Sequence, residues 1–291
     1  MVAGAEIVIR GSVSLGKKLN ISLFAIGVVI VAGGTSLPEL ASSINAVLGN
    51  HADVALGTVV GSNIANLILV MAATTVIKPI SNITKNQINQ AYINIGIGII
   101  FILMMFFYFN YIFGIIAVFL LTYIMYIQIK QGSLNIDEIN QNEYSRFLSL
   151  FLIILGIIFL IYGSDLFISS AINLSNIFNV SERVIGLSLI AFGTSLPELV
   201  VGVMSALKRK VDFALGNILG SNIYNVLGVL GISSFFGNFN IPNILGSIDL
   251  YFMLFVTFMI LAFMIFAKKI GRTYGSIGLI FYISYIFYIY N

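Results

Sequence analysis

The chain has no cysteine, a single histidine, and charge on only 9% of its residues. Without cysteine, neither a disulfide framework nor a thiolate metal site can form. His51 sits in a short polar break between two apolar runs, where an ordinary loop role accounts for it. Soluble domains carry charge on about a quarter of their residues. With 59% hydrophobic residues and a mean hydropathy of +1.05, this chain is instead an all-α membrane protein that crosses the bilayer many times. The formal charge of +3 is small, so where the charges lie matters more than their sum.

What the chain does have is one unusual stretch, twice. Gly34-Thr35-Ser36-Leu37-Pro38-Glu39 returns 159 positions later as Gly193-Thr194-Ser195-Leu196-Pro197-Glu198. Each copy lies inside a long apolar run, Ile21 to Leu48 and Val184 to Leu207. A carboxylate, two hydroxyls and a proline in mid-membrane are costly and mark a functional site. Proline lacks an N–H and clashes with the carbonyl four residues back, which should free Gly34 O and Gly193 O. Irregular backbone at that depth persists only where protein or a lined cavity satisfies it. Inward-pointing oxygens suit a hard cation.

The apolar runs divide into ten expected spans. Met1 to Ile9 is too short to cross alone, since a helix needs ~20 residues. Its counterpart near Gly163-Ser164-Asp165 has a full apolar lead-in from Phe147 to Ile161, so the first helix is expected to be truncated. The basic n-region and cleavage site of a signal peptide are not seen. The other spans are Leu23–Leu48, Asp53–Ile77, Gln90–Phe109, Tyr111–Ile129, Phe147–Ile172, Val184–Leu207, Asp212–Phe236, Ile248–Ala267 and Tyr274–Tyr290. Alternate connectors hold Lys17 and Lys18, Lys78 and Lys85, Lys130 and Arg146, Lys208 to Lys210, and Lys268, Lys269 and Arg272. That is 12 of the 14 basic residues; Arg183 lies in an intervening connector and Arg10 inside the first span. The positive-inside rule makes the basic side cytoplasmic and puts both termini on the extracytoplasmic side.

The 159-residue offset aligns more than the opening motif. Asp53-Val-Ala-Leu-Gly57 matches Asp212-Phe-Ala-Leu-Gly216, Gly61-Ser62-Asn63-Ile64 matches Gly220-Ser221-Asn222-Ile223, and Asn66 matches Asn225. Asn20-Ile-Ser22 resembles Asn179-Val-Ser181. Five spans per unit is an odd number, so the second unit enters the membrane from the opposite side. The expected organisation is two inverted five-helix repeats, residues 1–130 and 147–291, joined by a connector, 131–146, that carries Asp137, Glu138 and Glu143. Such repeats with interrupted helices are a transporter architecture, with the site at their interface.

Each candidate residue also has a plainer reading. Ser36-x-x-Glu39 and Ser195-x-x-Glu198 have the form of a capping box, in which glutamate merely closes a helix start. An uncharged cap would do that in hydrocarbon without two buried carboxylates. Two glutamates supply up to four oxygens and balance a dication; Ca²⁺ takes six to eight oxygens. Hydroxyls of Thr35, Ser36, Thr194 and Ser195 suit a monovalent ion. Gly57-x-x-x-Gly61 and Gly216-x-x-x-Gly220 fit close helix contacts, which would bring Ser62, Asn66, Ser221 and Asn225 to the glutamates; Ser62 and Asn66, like Ser221 and Asn225, share a helix face. Asn63 and Asn222 point elsewhere, either to the site or to a neighbouring helix. Asp53 and Asp212 begin spans, where acids favour helix N-termini. Glu6 and Asp165 occupy equivalent places away from the midplane.

Gly-Thr-Ser-Leu-Pro-Glu followed by Gly-Ser-Asn-x-x-Asn, in two copies, resembles the cation/calcium exchanger superfamily, in its prokaryotic sodium/calcium exchanger branch. The resemblance spans nearly the whole chain and implies ten helices, alternating access, and Ca²⁺ export driven by Na⁺ entry. By position it implies ion ligands Glu39, Glu198, Ser62, Ser221, Thr35, Thr194, Ser36, Ser195, Asn66 and Asn225, with the carbonyls of Ala32 and Ala191. It implies a prokaryotic plasma-membrane protein that is not an enzyme. Its partners are Ca²⁺ and Na⁺ as transported ions and the lipid bilayer, with no cofactor, nucleic acid or protein partner. Some relatives carry aspartate where this chain has Asn225, and animal exchangers carry a large cytoplasmic insert not seen here. Proton-coupled exchangers usually show a different glutamate signature. An intramembrane hydrolase, whose acids would do acid–base work, would need a nucleophile–base pair that the sequence does not offer. A passive channel fits less well with symmetric breaks meeting at one site.

Overall fold

A computed structural model describes residues 1–104, 110–131, 144–177, 191–237, 239 and 248–290. The end of the fourth expected span, Asp137, Glu138 and Glu143, Asn179-Val-Ser181, Arg183 and the start of the seventh span at Val184 lie outside the described residues. Helix α1 is Val2–Leu19. A broken element follows, α2 (Leu23–Thr35) and α3 (Leu37–Leu48), bent by 41° at Ser36. Then come α4 (Ala52–Ile77), α5 (Lys85–Met104), α6 (Tyr111–Gln131) and α7 (Arg146–Ile177). The second half holds α8 (Ala191–Thr194), α9 (Leu196–Leu207), α10 (Val211–Ser233), α11 (Ile248–Ala262) and α12 (Arg272–Tyr290).

Local chemistry sets several of these limits. The apolar pattern alone starts α5 at Gln90, but a capping box moves the start to Lys85: Thr84 Oγ1 accepts from Gln87 N, and Gln87 Oε1 accepts from Thr84 N at 2.8 Å. Asn110 Oδ1 caps α6 by accepting from Ile112 N and Phe113 N. Helix α1 runs on through Arg10, whose exposed guanidinium donates to Glu6 one turn back at 2.6 Å. It stops where Asn20 turns left-handed, with Lys17 and Lys18 in the last turn. Glu6 also takes Lys208, which caps the C-terminus of α9, at 2.6 Å, while its positional counterpart Asp165 is exposed on α7.

Helices α1 and α7 lie antiparallel at a distance only glycine allows. A Cβ on Gly4 would fall 2.7 Å from Gly156 O, and one on Gly156 would fall 2.7 Å from Gly4 O. Their apolar faces, including Val8, Val13, Ile153 and Leu160, form a cluster separate from the main core. That main core is built around α10, 94% of whose apolar window is buried, and α4, at 72%. By contrast α6, α7 and α11 bury only 28–33% and turn Phe119, Phe147 and Phe255 outward, as lipid-facing helices should. Among the described residues five helices are long and apolar enough to cross a membrane, or six with the bent α2–α3 pair.

The two halves agree in register. The helix Leu37–Leu48 recurs as Leu196–Leu207, Ala52–Ile64 as Val211–Ile223, and the π-helical stretch Ala65–Val70 as Tyr224–Val229, all at the same 159-residue offset. Beside the helices, β1 (Ile80–Ser81) pairs antiparallel with β2 (Lys269–Ile270), tying two of the basic connectors together. A Cβ on Gly216 would fall 2.2 Å from Phe24 O, and one on Gly220 2.7 Å from Val28 Cα, so this pair is a true close contact.

Candidate functional site

Both motifs fold the same way. Ser36 leaves the helix at φ −82°, ψ 6°, and Ser195 at φ −85°, ψ 2°, after which Pro38 and Pro197 open the next helices. Proline is tolerated in a helix's first turn, where its missing N–H has no helical partner anyway. Neither serine side chain caps its helix. The capping-box reading of Ser36 and Ser195 therefore fails, and both Oγ atoms stay buried without a partner. Helix α7 lies over both breaks: Ile157 packs where Gly34 has no Cβ, and Ile168 does so at Gly193. Three helical turns apart, these two isoleucines share one face. The carbonyl expected to be freed at Gly193 is taken by Ser164 of α7, which donates to it at 2.5 Å.

The breaks carry Glu39 and Glu198 into the centre, each 1% exposed. Ser62 of α4 donates to Glu39 Oε1 at 3.3 Å, and Ser221 of α10 donates to Glu198 Oε1 at 3.4 Å. Thr194 lies on the Glu39 side and Thr35 on the Glu198 side. Thr35 Oγ1 lies 3.3 Å from Ala32 O, 3.3 Å from Asn217 Oδ1 and 3.5 Å from Ser221 Oγ. Ala32 O also accepts from Ser36 N at 3.0 Å, so this carbonyl already has two donors. Ala191 begins α8.

The π-helical turns begin at Ala65 and Tyr224, immediately before Asn66 and Asn225. Such turns disturb the regular i→i−4 ladder and are frequent at functional sites. Tyrosine hydroxyls meet carbonyls in the first of these and in a further π-helical stretch, Gly27–Val31: Tyr274 donates to Leu67 O at 2.8 Å and Tyr224 to Val29 O at 2.6 Å. Asn66 Nδ2 donates to Asn222 Oδ1, and Asn225 Nδ2 to Asn63 Oδ1, both at 3.0 Å. Asn66 Oδ1 and Asn225 Oδ1 are left without a partner, as are Glu39 Oε2 and Glu198 Oε2. With Ser36 Oγ and Ser195 Oγ this makes six buried, unpaired oxygens, three from each half. Leaving a polar atom buried and unmade costs about 1–3 kcal/mol, and these six lie on the two motifs and on the asparagines that open the π-helical turns. The structure thus brings Glu39, Glu198, Ser36, Ser195, Ser62, Ser221, Asn66, Asn225, Thr35 and Thr194 into one buried region.

Sequence reasoning missed Asn217. It is wholly buried beside Thr35, with its Nδ2 unpaired. The offset puts Thr58 opposite it, and Thr58 donates back to Val54 O of its own helix at 2.9 Å. Because the repeat breaks at this position, matching the two halves could not flag it. His51 is exposed, Asp53 is exposed at the start of α4, and Asp212 accepts from Gln87 Nε2 at 2.7 Å. None of the three joins this buried region.

A bent pair of helices around two buried carboxylates, within a set of membrane-crossing helices, defines an ion-transport protein. The chain belongs to the sodium/calcium exchanger protein family, whose model matches residues 1–130 and 148–291. It is 34% identical over 287 residues to a membrane protein of Methanocaldococcus jannaschii, MJ0091, covering 96% of this chain and 91% of that one. With the sodium/calcium exchanger MaX1 of Methanosarcina acetivorans it shares 28% identity over 334 residues, covering 97% and 93%. Among solved structures, it superposes on the sodium-calcium exchanger NCX_Mj soaked with Na⁺ and Sr²⁺ at a TM-score of 0.86. That match has 31% identity and covers 97% of this chain and 92% of that chain. The family is one of integral membrane antiporters rather than enzymes.

Proposed function

We propose that this protein exchanges Na⁺ for Ca²⁺ by alternating access, with both ions competing for the cage around Glu39 and Glu198. The observation that carries this is the six unpaired oxygens, contributed equally by the two halves. Ligands would be the side chains of Glu39, Glu198, Ser62, Ser221, Thr35, Thr194, Ser36, Ser195, Asn66 and Asn225, with the carbonyls of Ala32 and Ala191. Two carboxylates balance one Ca²⁺, and the hydroxyl and amide oxygens suit Na⁺. The exchanger named for MaX1 and the sodium-calcium exchanger NCX_Mj support Na⁺ as the coupling ion.

The architecture that goes with this reading is ten spans in two inverted repeats, 1–130 and 147–291, around a cytoplasmic connector, 131–146. Matching element boundaries at a constant offset support the repeat. The alternation of basic connectors supports extracytoplasmic termini in a prokaryotic plasma membrane, and the β1–β2 ladder joins two connectors that this orientation puts on one side. Radiolabelled Ca²⁺ uptake into vesicles tests the function. Uptake is expected when Na⁺ is high inside, efflux when it is high outside, and little of either under a pH gradient alone. Ca²⁺ movement driven by the pH gradient and indifferent to Na⁺ would replace Na⁺ by H⁺ in the reading.

A second prediction concerns Asn225. With Asn66 and Asn225 neutral, one Ca²⁺ leaves the cage uncharged, while more than two Na⁺ leave it positive. Exchange should therefore carry net charge and respond to voltage, by about 2.3 kcal/mol per charge per 100 mV. Asn225→Asp adds a third buried carboxylate that requires a further cation or proton. Flux in that variant is expected to become dependent on K⁺ or pH when voltage is clamped with an ionophore. A voltage-insensitive wild type would overturn the charge count.

A further inference from the structure

Asn63 and Asn222 have their Oδ1 atoms occupied, each accepting from the other half's asparagine. An asparagine amide has a donor end and an acceptor end, and only the acceptor end attracts a cation. Asn225 spends its donor end on Asn63 Oδ1, and Asn66 spends its donor end on Asn222 Oδ1. What remains is Oδ1 in both cases, buried and unpaired. The assignment of amide ends follows from the neighbours. Asn63 Nδ2 faces Asn222 O at 3.5 Å and Met253 Sδ at 3.8 Å, two acceptors. Turning the Asn63 amide over would set its oxygen against that carbonyl and present a donor to Asn225. Asn225 would then have to turn as well, aiming an NH₂ group at the cation.

We infer that Asn63 and Asn222 are positioning residues that fix the amides of Asn225 and Asn66 with oxygen toward the transported ion. The fixing runs across the two halves: Asn63 of α4 orients Asn225 of α10, and Asn222 of α10 orients Asn66 of α4. Each half's amide ligand is thus correct only while the other half is docked against it. This rests on the reading of Asn66 and Asn225 as ligands.

Aspartate supplies the test, because its two oxygens are equivalent and need no orienting. Ca²⁺ KM, turnover and thermal melting would be measured in vesicles or detergent for Asn225→Ala, Asn63→Ala, Asn225→Asp and the double variant Asn63→Ala/Asn225→Asp. Outer-shell partners of ion ligands typically carry about 10–100-fold in affinity, so Asn63→Ala should raise the Ca²⁺ KM by that factor. In the Asn225→Asp background the same Asn63→Ala change should move KM by less than about threefold, since its outer-shell role is gone. A loss of equal size in both backgrounds would assign Asn63 a merely structural role and overturn the inference, as would a wild-type KM for Asn63→Ala. A wild-type KM for Asn225→Ala would instead remove the ligand reading beneath it. Should Asn63→Ala fail to fold, the mirror cycle with Asn222→Ala and Asn66→Asp carries the same outcomes.

Discussion

Glu39→Gln and Glu198→Gln are each expected to cut Na⁺-driven Ca²⁺ uptake by at least two powers of ten while leaving a folded protein. Glutamine keeps the shape of the side chain and an oxygen for Ser62 or Ser221 to donate to, at the 3.3 Å and 3.4 Å contacts now made to the carboxylates. It removes one of only two charges available to balance a buried dication. Breaking a buried charge pair costs about 3–5 kcal/mol, which is two to four powers of ten in affinity. The folded state itself should not suffer, because a neutral amide is easier to bury than a carboxylate. Uptake assays paired with melting curves separate the two effects. Near-normal Ca²⁺ uptake by either variant would remove that glutamate from the site.

Gly216→Ala is expected to damage stability and transport together. The new Cβ would sit 2.2 Å from Phe24 O, and a Cβ at the reciprocal position, Gly27, would likewise fall 2.6 Å from Phe213 O. Backbone cannot rotate out of the way as a side chain can, so α10 and α2 must part by about 1 Å or more, and overpacking of this kind costs about 1–3 kcal/mol. Thr35 meets Asn217 and Ser221 further along the same helix pair, at 3.3 Å and 3.5 Å, and both contacts would open. Both melting temperature and Ca²⁺ affinity should therefore fall. Unchanged melting of Gly216→Ala would contradict the close-packing account.

Thr58 and Asn217 show where sequence reasoning stops. The offset gives them equivalent positions, yet Thr58 bonds back to Val54 O of its own helix while Asn217 meets Thr35 across a helix contact, which depends on the partner's position in space. What the chain did declare was whatever is costly to place in a membrane: Glu39, Glu198, the two prolines and the serine and asparagine pairs. Helix spans were legible for the same energetic reason, and their ends moved mainly where side chains cap, as at Thr84 and Asn110. Ser36 and Ser195 looked like capping residues because the motif S-x-x-E specifies spacing alone; the backbone angles that withhold their hydroxyls from the helix are visible only in three dimensions. Asn63 and Asn222 were undecided by spacing, since helical periodicity says which face a residue is on and not what stands opposite.

The central claim, that one buried cage holds Ca²⁺ or Na⁺ in turn, is tested most directly by equilibrium binding of radiolabelled Ca²⁺ to the purified protein under Na⁺ titration. The account predicts saturable Ca²⁺ binding that Na⁺ displaces completely and cooperatively, and that Glu39→Gln abolishes. Ca²⁺ that stays bound in excess Na⁺ and leaves only on acidification would contradict it.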